Sequence, residues 1–270
     1  MDLGSTELTS TAHTLLPPLL KLENISLAFK GVKAITDISF EVQAKRITAL
    51  IGPNGAGKSS LLNVINGVYQ PQAGTITFKQ IPHKQMTPRY AAQQGIARTF
   101  QNIALFKGMS VLDNLLTGRT LKRHSTWLEQ AFRVGRAPRE DRSNREYVEQ
   151  LIDFLDLTAW RKTLVGTLPY GIQKRVELGR ALAAEPTLLL LDEPMAGMNA
   201  QEKQEMSEFI RAINREFGTT IVLIEHDLSV VMSLSNHLVV LDYGKKIGDG
   251  SPEEVRHNPE VIAAYLGTRH

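Results

Sequence analysis

Apolar and polar positions along the chain alternate in short β-rich runs first and in mixed patterns later. KLENISLAF, DISFEV, RITALIG and TITF lead, and the apolar runs TLLLLD and TIVLIE follow, alternating with helical patterns. From Leu188 to Leu191 every position is apolar, which suits a strand buried on both faces at the centre of a parallel sheet. The pattern predicts an α/β fold. Between about Thr117 and Arg161 the β-rich runs stop, and Arg119, Lys122, Arg123, Arg133, Arg136, Arg139, Arg142 and Arg145 crowd a helix-prone stretch that reads as an insertion. Near the end, Ser251-Pro252-Glu253-Glu254 combines a capping residue, a first-turn proline and a capping-box glutamate, so a short helix is expected there and a second over Glu260 to Leu266. The chain divides into an aperiodic, disordered extension over 1–18, a main lobe from 19–116 and 185–251, a helical subdomain over 117–184 and a helical tail over 252–270.

Composition narrows the classes. The 270 residues carry 31 basic and 28 acidic side chains, a net charge of +3, too little excess to indicate nucleic acid by bulk charge. The longest apolar run, Val261 to Leu266, spans six residues against the ~20 that a membrane-spanning helix needs, so any membrane role is expected from one side. The absence of cysteine excludes disulfides, thiolate metal sites and cysteine nucleophiles, and suits a reducing cytosol. The opening MDLGSTELTS has neither a basic start nor an apolar export core.

The sharpest chemical pattern is Gly52-Pro53-Asn54-Gly55-Ala56-Gly57-Lys58-Ser59, a G-x-x-x-x-G-K-S loop between a strand-like and a helix-like run. Glycines let backbone N–H groups turn onto anionic oxygens, and the helix that follows adds its positive end at the same point. A triphosphate fits such a cradle. Lys58 is expected to reach the β and γ phosphates and the Ser59 hydroxyl to ligate Mg²⁺. Gly52 through Ser59, with Ser60, are the candidate nucleotide-binding residues. An ordinary glycine-rich turn is the alternative, but eight constrained positions and both flanks disfavour it.

Asp192 and Glu193 stand at the mouth of the Leu188–Leu191 strand, where an unpaired charge is expensive, so a cation is expected nearby. Asp192 is assigned to Mg²⁺ and Glu193 to general base, polarising water toward the γ phosphate. Standing alone, the two acids would more simply be leaving the sheet into a solvated loop; the phosphate loop favours the catalytic reading.

With these residues in place, the chain from about 20 to 267 resembles the ATP-binding cassette (ABC) ATPases, whose further motifs recur in order. Gln101 in RTFQN looks like the family's glutamine loop, which senses Mg²⁺ and contacts the membrane partner. His226 in LIEHD matches the switch histidine at the γ phosphate, and Ala196-Gly197-Met198-Asn199 resembles the loop that lies across the dimer interface. Phe29 falls where the family stacks an aromatic on adenine, although an aromatic at a strand end also serves as core. The signature departs from its usual L-S-G-G-Q: it reads Leu168-Pro169-Tyr170-Gly171-Ile172, and Pro169 offers neither hydroxyl nor N–H. The resemblance implies that Gly171 and the following helix carry the contact to a partner's nucleotide, the alternative being that this segment now only packs a helix.

The resemblance implies a P-loop NTPase fold: an ABC ATPase lobe with a mixed sheet core and an antiparallel β subdomain, plus an inserted helical subdomain. It also implies Mg²⁺-dependent ATP hydrolysis. The L-P-Y-G tyrosine, the basic insertion and the tail GDGSPEEVRHNPEVIAAYLG look like the longer of the two unlike ATPases of bacterial branched-chain amino acid importers. The partners so implied are a second ATPase subunit in a homo- or heterodimer, integral permeases docking near Gln101 and the segment from Asn102 to Gly108, and indirectly a periplasmic solute-binding protein. Nucleic acid is not expected. The location implied is peripheral, on the cytoplasmic face of the inner membrane. Ile103, Leu105 and Phe106 are either docking residues or plain core, and the basic insertion either meets anionic lipid or forms a solvated helix face. The rival functions are the related lipopolysaccharide-extraction ATPase, a non-transport regulator and a soluble phosphotransferase.

Overall fold

A computed structural model describes residues 17–99, 101, 103–122, 129 and 135–266. Residues 1–16 of the extension expected over 1–18, Asn102, Arg123, Arg133 and the last four residues of the tail lie outside the described residues.

Strand β1 (Leu20–Phe29) buries Leu20 and Leu22, then Ile25 and Leu27. The alternation slips by one residue because the pairing with β2 (Val32–Val42) shifts register between Leu22 and Ile25, where Asn24 takes φ 54°. With β4 (Ala73–Phe78) and β5 (Ile81–His83) these strands form an antiparallel sheet of order β2-β1-β4-β5.

A second sheet contains β3 (Ile47–Ile51), β6 (Ile96–Arg98), β7 (Leu188–Asp192), β8 (Thr220–Ile224), β9 (His237–Asp242) and β10 (Lys245–Gly250) in the order β10-β9-β3-β8-β7-β6. Its pairings are parallel except that of β10 with β9, so the sheet is mixed. All five positions of β3, β7 and β8 are buried, as a sheet covered on both faces requires.

Period two divides β7 between two cores. Leu188 and Leu190 join α1 (Lys58–Ile65) and the antiparallel sheet. Leu189 and Leu191 join α3 (Val111–Thr117), α4 (Ala137–Phe154), α5 (Tyr170–Leu182) and α6 (Ala200–Phe217). A third core holds Val231 of α7 (Leu228–Leu234), Val255 of α8 (Pro252–Arg256) and Val261 of α9 (Pro259–Leu266) against Leu238 and Val240 on β9. The remaining helix, α2 (Pro88–Gln93), follows the antiparallel sheet.

The helical layer starts at Val111, ahead of the expected 117, because the Ser110 hydroxyl accepts from Asp113 N–H and caps α3. On α4 the buried residues Asn144, Val148, Leu151 and Ile152 keep helical spacing, while Arg136, Arg139, Arg142 and Arg145 are exposed. Arg119 is not part of that basic surface. It is buried, pairs with Glu185, and donates to Asn144 Oδ1 at 2.8 Å and Ala183 O at 2.9 Å. The tail begins with the expected capping box between Ser251 and Glu254.

Candidate functional site

Strand β3 runs into the glycine loop, and three of its glycines take conformations that a side chain resists. Gly52, Gly55 and Gly57 have φ of 145°, 81° and 99°. A Cβ on Gly52 would overlap the Leu241 carbonyl oxygen, and one on Gly57 would lie 2.7 Å from Ala34 O. Helix α1 has no side-chain cap and no acid in its first turn, so its first N–H groups remain for the loop's ligand. Lys58 is buried and donates to Gly52 O at 2.8 Å and Pro53 O at 2.9 Å. Burial pulls its pKa down, against the opposing charges of Glu193 and Asp192.

At the end of β7, Asp192 is buried beside Arg98 from the neighbouring β6, whose Nη2 donates to Asp192 Oδ2 at 2.8 Å. The guanidinium also donates to Asn63 of α1. Arg98 is therefore a cation that the acid's position demanded and that sequence reading missed. The available signal was a charged residue closing a short β run just before Gln101. Asp192 Oδ1 is buried with no hydrogen-bond partner among the described residues.

Glu193 adopts φ 50°, a left-handed conformation that costs a non-glycine residue about 1–2 kcal/mol and turns the chain sharply off the sheet. Its Oε1 lies within hydrogen-bond distance of His226 Nε2, at 2.7 Å. Its Oε2 accepts from Gln101 Nε2 at 3.1 Å. The three expected catalytic residues thus converge from the carboxyl ends of β6, β7 and β8, the edge where open α/β sheets hold ligands. They meet at a cavity of about 300 Å³ whose other walls are Ala34 and the loop from Asn54 to Ser60.

A further residue that the sequence did not single out braces this cluster. Glu225 is buried; its Oε1 accepts from Met195 N–H at 2.8 Å and its Oε2 from His226 N–H at 3.3 Å. One carboxylate therefore ties the segment after Glu193 to the main chain of His226. Burial pushes its pKa up.

Four expected nucleotide contacts lie outside the cavity lining: Gly52 and Pro53, whose carbonyls take the Lys58 ammonium, and Phe29 and Gly171. Phe29 is 41% exposed, meets Tyr69 edge to face at 4.9 Å, and is not among the residues lining the cavity. Gly171, near the start of α5, also lies outside the lining. A Cβ there would run into the Glu202 carboxylate, the capping-box acid of α6. Beside it the Tyr170 ring faces Gly197, where an added Cβ would stand 3.2 Å from Cε1. The signature thus rests on its own chain's Ala196–Asn199 loop.

A larger groove of about 490 Å³ opens between the sheet and the helical layer, lined in part by Arg98, Phe106, Leu121 and Arg180. Leu105 packs on the second core while Phe106 is 54% exposed, so the apolar residues after Gln101 divide between core and surface.

The model of the ABC transporter family matches residues 35–196, and that of the branched-chain amino acid ATP-binding cassette transporters matches residues 245–270. The chain is 37% identical over 250 residues to the high-affinity branched-chain amino acid transport ATP-binding protein BraF of Pseudomonas aeruginosa, covering 93% of this chain and 98% of BraF. It is 36% identical over 259 residues to LivG of Salmonella typhimurium, of the same description, again covering 93% and 98%. Among solved structures, the ADP conformation of MJ1267, an ATP-binding cassette of an ABC transporter, superposes with a TM-score of 0.80 at 33% identity, covering 93% of this chain and 99% of that one.

Proposed function

The chain belongs to the ABC transporter family of ATP-hydrolysing subunits, and from that premise we propose that it powers an importer of branched-chain amino acids from the cytoplasmic face of the membrane. The solute assignment is supported by BraF, LivG and the match over residues 245–270. No helix among the described residues is long and apolar enough to cross a membrane.

The observation that carries the hydrolytic reading is the double hydrogen bond of Glu193 to His226 and Gln101 at the edge of the loop cavity. The glycine loop and the start of α1 bind the phosphates through N–H groups, and Lys58 adds a fixed charge. Glu193 takes the proton of the attacking water, with His226 and Gln101 fixing its two oxygens.

The site also fits Mg²⁺. Among the described residues no group of three or more His, Cys, Asp or Glu side chains suits a metal, and Asp192 Oδ1 is a buried acceptor without a partner. Oxygen donors from Ser59, Gln101 and Asp192 match a cation that leans on phosphate oxygens and one or two carboxylates. Mg²⁺ held by these residues supplies neutralisation of phosphate charge.

Gly171 and the N-terminus of α5 address the nucleotide of a second ATPase subunit, whether a copy of this chain or an unlike one, and Phe29 stacks on adenine. Permeases dock in the groove beside Phe106, and a periplasmic binding protein acts through them. Glu193→Gln is expected to retain ATP binding while hydrolysis falls by about 10²–10⁴-fold. Normal turnover by that variant refutes the base assignment. Co-purification with multispanning permeases, and ATPase stimulation by a leucine-loaded binding protein in reconstituted vesicles, test the transport reading.

A further inference from the structure

Between the cavity and the helical layer lies a buried ion pair that hydrolysis as described does not use. Lys174 and Glu177 are three residues apart on α5, each side chain is 2% exposed, and Lys174 Nζ stands 3.7 Å from Glu177 Oε2. Such a pair adds little net stability, because desolvation offsets most of the attraction. Its other contacts show what it holds. Lys174 Nζ donates to Gln101 O at 3.1 Å, and Glu177 Oε1 accepts from Ala104 N–H at 3.4 Å. One turn on, Arg180 donates to Ala104 O. Residues 174, 177 and 180 share one face of the helix, so three successive side chains grip the main chain of the glutamine loop. At the other end of the grip, the Lys174 ammonium lies 5.9 Å from the centre of the Tyr170 ring, and that ring rests on Gly197.

We propose that Lys174 is a positioning residue for hydrolysis: by tying the Gln101 carbonyl to α5 it sets where the Gln101 amide meets Glu193, and makes the signature helix and the glutamine loop one moving piece. The main-chain hold is what matters, since Lys174 does not itself line the cavity. A displacement of Gln101 by about 1 Å is enough to lower turnover on the order of 10²-fold. The kinetic part rests on the hydrolytic reading above; the structural part does not.

The test is a double-mutant cycle on the full chain. Lys174→Met leaves Glu177 buried without its cation, whereas Lys174→Met/Glu177→Met removes both charges, so the double variant carries the cycle if the single one does not fold. The double variant is expected to lose roughly 10- to 100-fold in kcat with KM for ATP changed by less than about twofold. Combined with Gln101→Ala it should show no further loss, and Lys174→Arg should restore most of the rate. Independently of activity, amide hydrogen exchange at Ala104, whose N–H donates to Glu177, should accelerate without nucleotide in Lys174→Met, which keeps that carboxylate and removes only the hold on Gln101. Wild-type kcat with unchanged exchange overturns the proposal, as do losses that multiply with Gln101→Ala. A wild-type chain that hydrolyses no ATP refutes the hydrolytic reading instead, and the exchange result then decides the Lys174 hold alone.

Discussion

The phosphate-loop edge of the parallel sheet and the signature end of the helical layer are built on different plans. At the sheet edge, two acids are held by partners from other strands or loops, Asp192 by Arg98 and Glu193 by His226 and Gln101, while Glu225 ties the main chain of its neighbour His226 to that of Met195. At the signature end, Gly171 and Tyr170 rest against the Glu202 cap and Gly197 of their own chain and do not line the cavity. The first region is preorganised within one chain, because buried strands fix their ends to a fraction of an ångström. The second lies outside that cavity, where the proposed contact with another subunit would be completed.

That contrast can be broken by substitution, and the largest loss of stability is expected at the sheet edge. Arg98→Met leaves Asp192 as a lone buried carboxylate, and urea unfolding should lose about 3–5 kcal/mol. A loss under about 1 kcal/mol would mean that the strand-end pairing is dispensable. Lys58→Ala should weaken nucleotide binding by about 1.5–3 kcal/mol, the worth of a hydrogen bond from a charged donor, measured by calorimetric titration. Intact affinity would contradict its phosphate role.

The signature end should respond differently. Gly171→Ala forces Glu202 out of its capping box, so stability should drop by only about 1 kcal/mol, while ATP turnover by the assembled pair falls sharply and affinity at the chain's own loop stays unchanged. Equal losses of stability and turnover would erase the distinction between the two regions.

The smallest expected effect lies between them, at Asp227, which caps α7 just after His226. The Ser229 hydroxyl, followed by the Lys203 ammonium, holds its carboxyl down to about 2. Because the folded value lies below the unfolded one of about 3.9, its contribution is present above that value and disappears as pH falls through about 2. Each side chain of the pair is about a third exposed and solvent still screens it, so Asp227→Asn should cost about 0.2–1 kcal/mol near neutrality and flatten the acid limb of the urea midpoint plotted against pH. An unchanged acid limb would exclude this pair as its source.

Much of the molecule is legible along the chain because its signals are contiguous. The glycine loop encodes its own left-handed turns, the uniform apolar run at Leu188–Leu191 announces a strand covered on both faces, and Ser251 to Glu254 spell out a helix start. Those features depend on backbone sterics and on periodicity over a few residues, which sequence carries directly. The phase slip at Asn24 and the early start of α3 at Ser110 were harder to see, since each is a single residue acting against the surrounding pattern.

What the sequence determined alone is therefore the fold class, the phosphate loop and the identity of the acids at the end of β7. Tertiary structure alone decided which charges meet. Arg98 finds Asp192 across 94 residues, Lys174 finds Gln101 across 73, and Glu225 finds Met195 across 30. The physical reason is that such a long-range contact has no sequence period: the partner of a buried charge is chosen by strand order and helix packing, and only once those are fixed does burial make the choice matter.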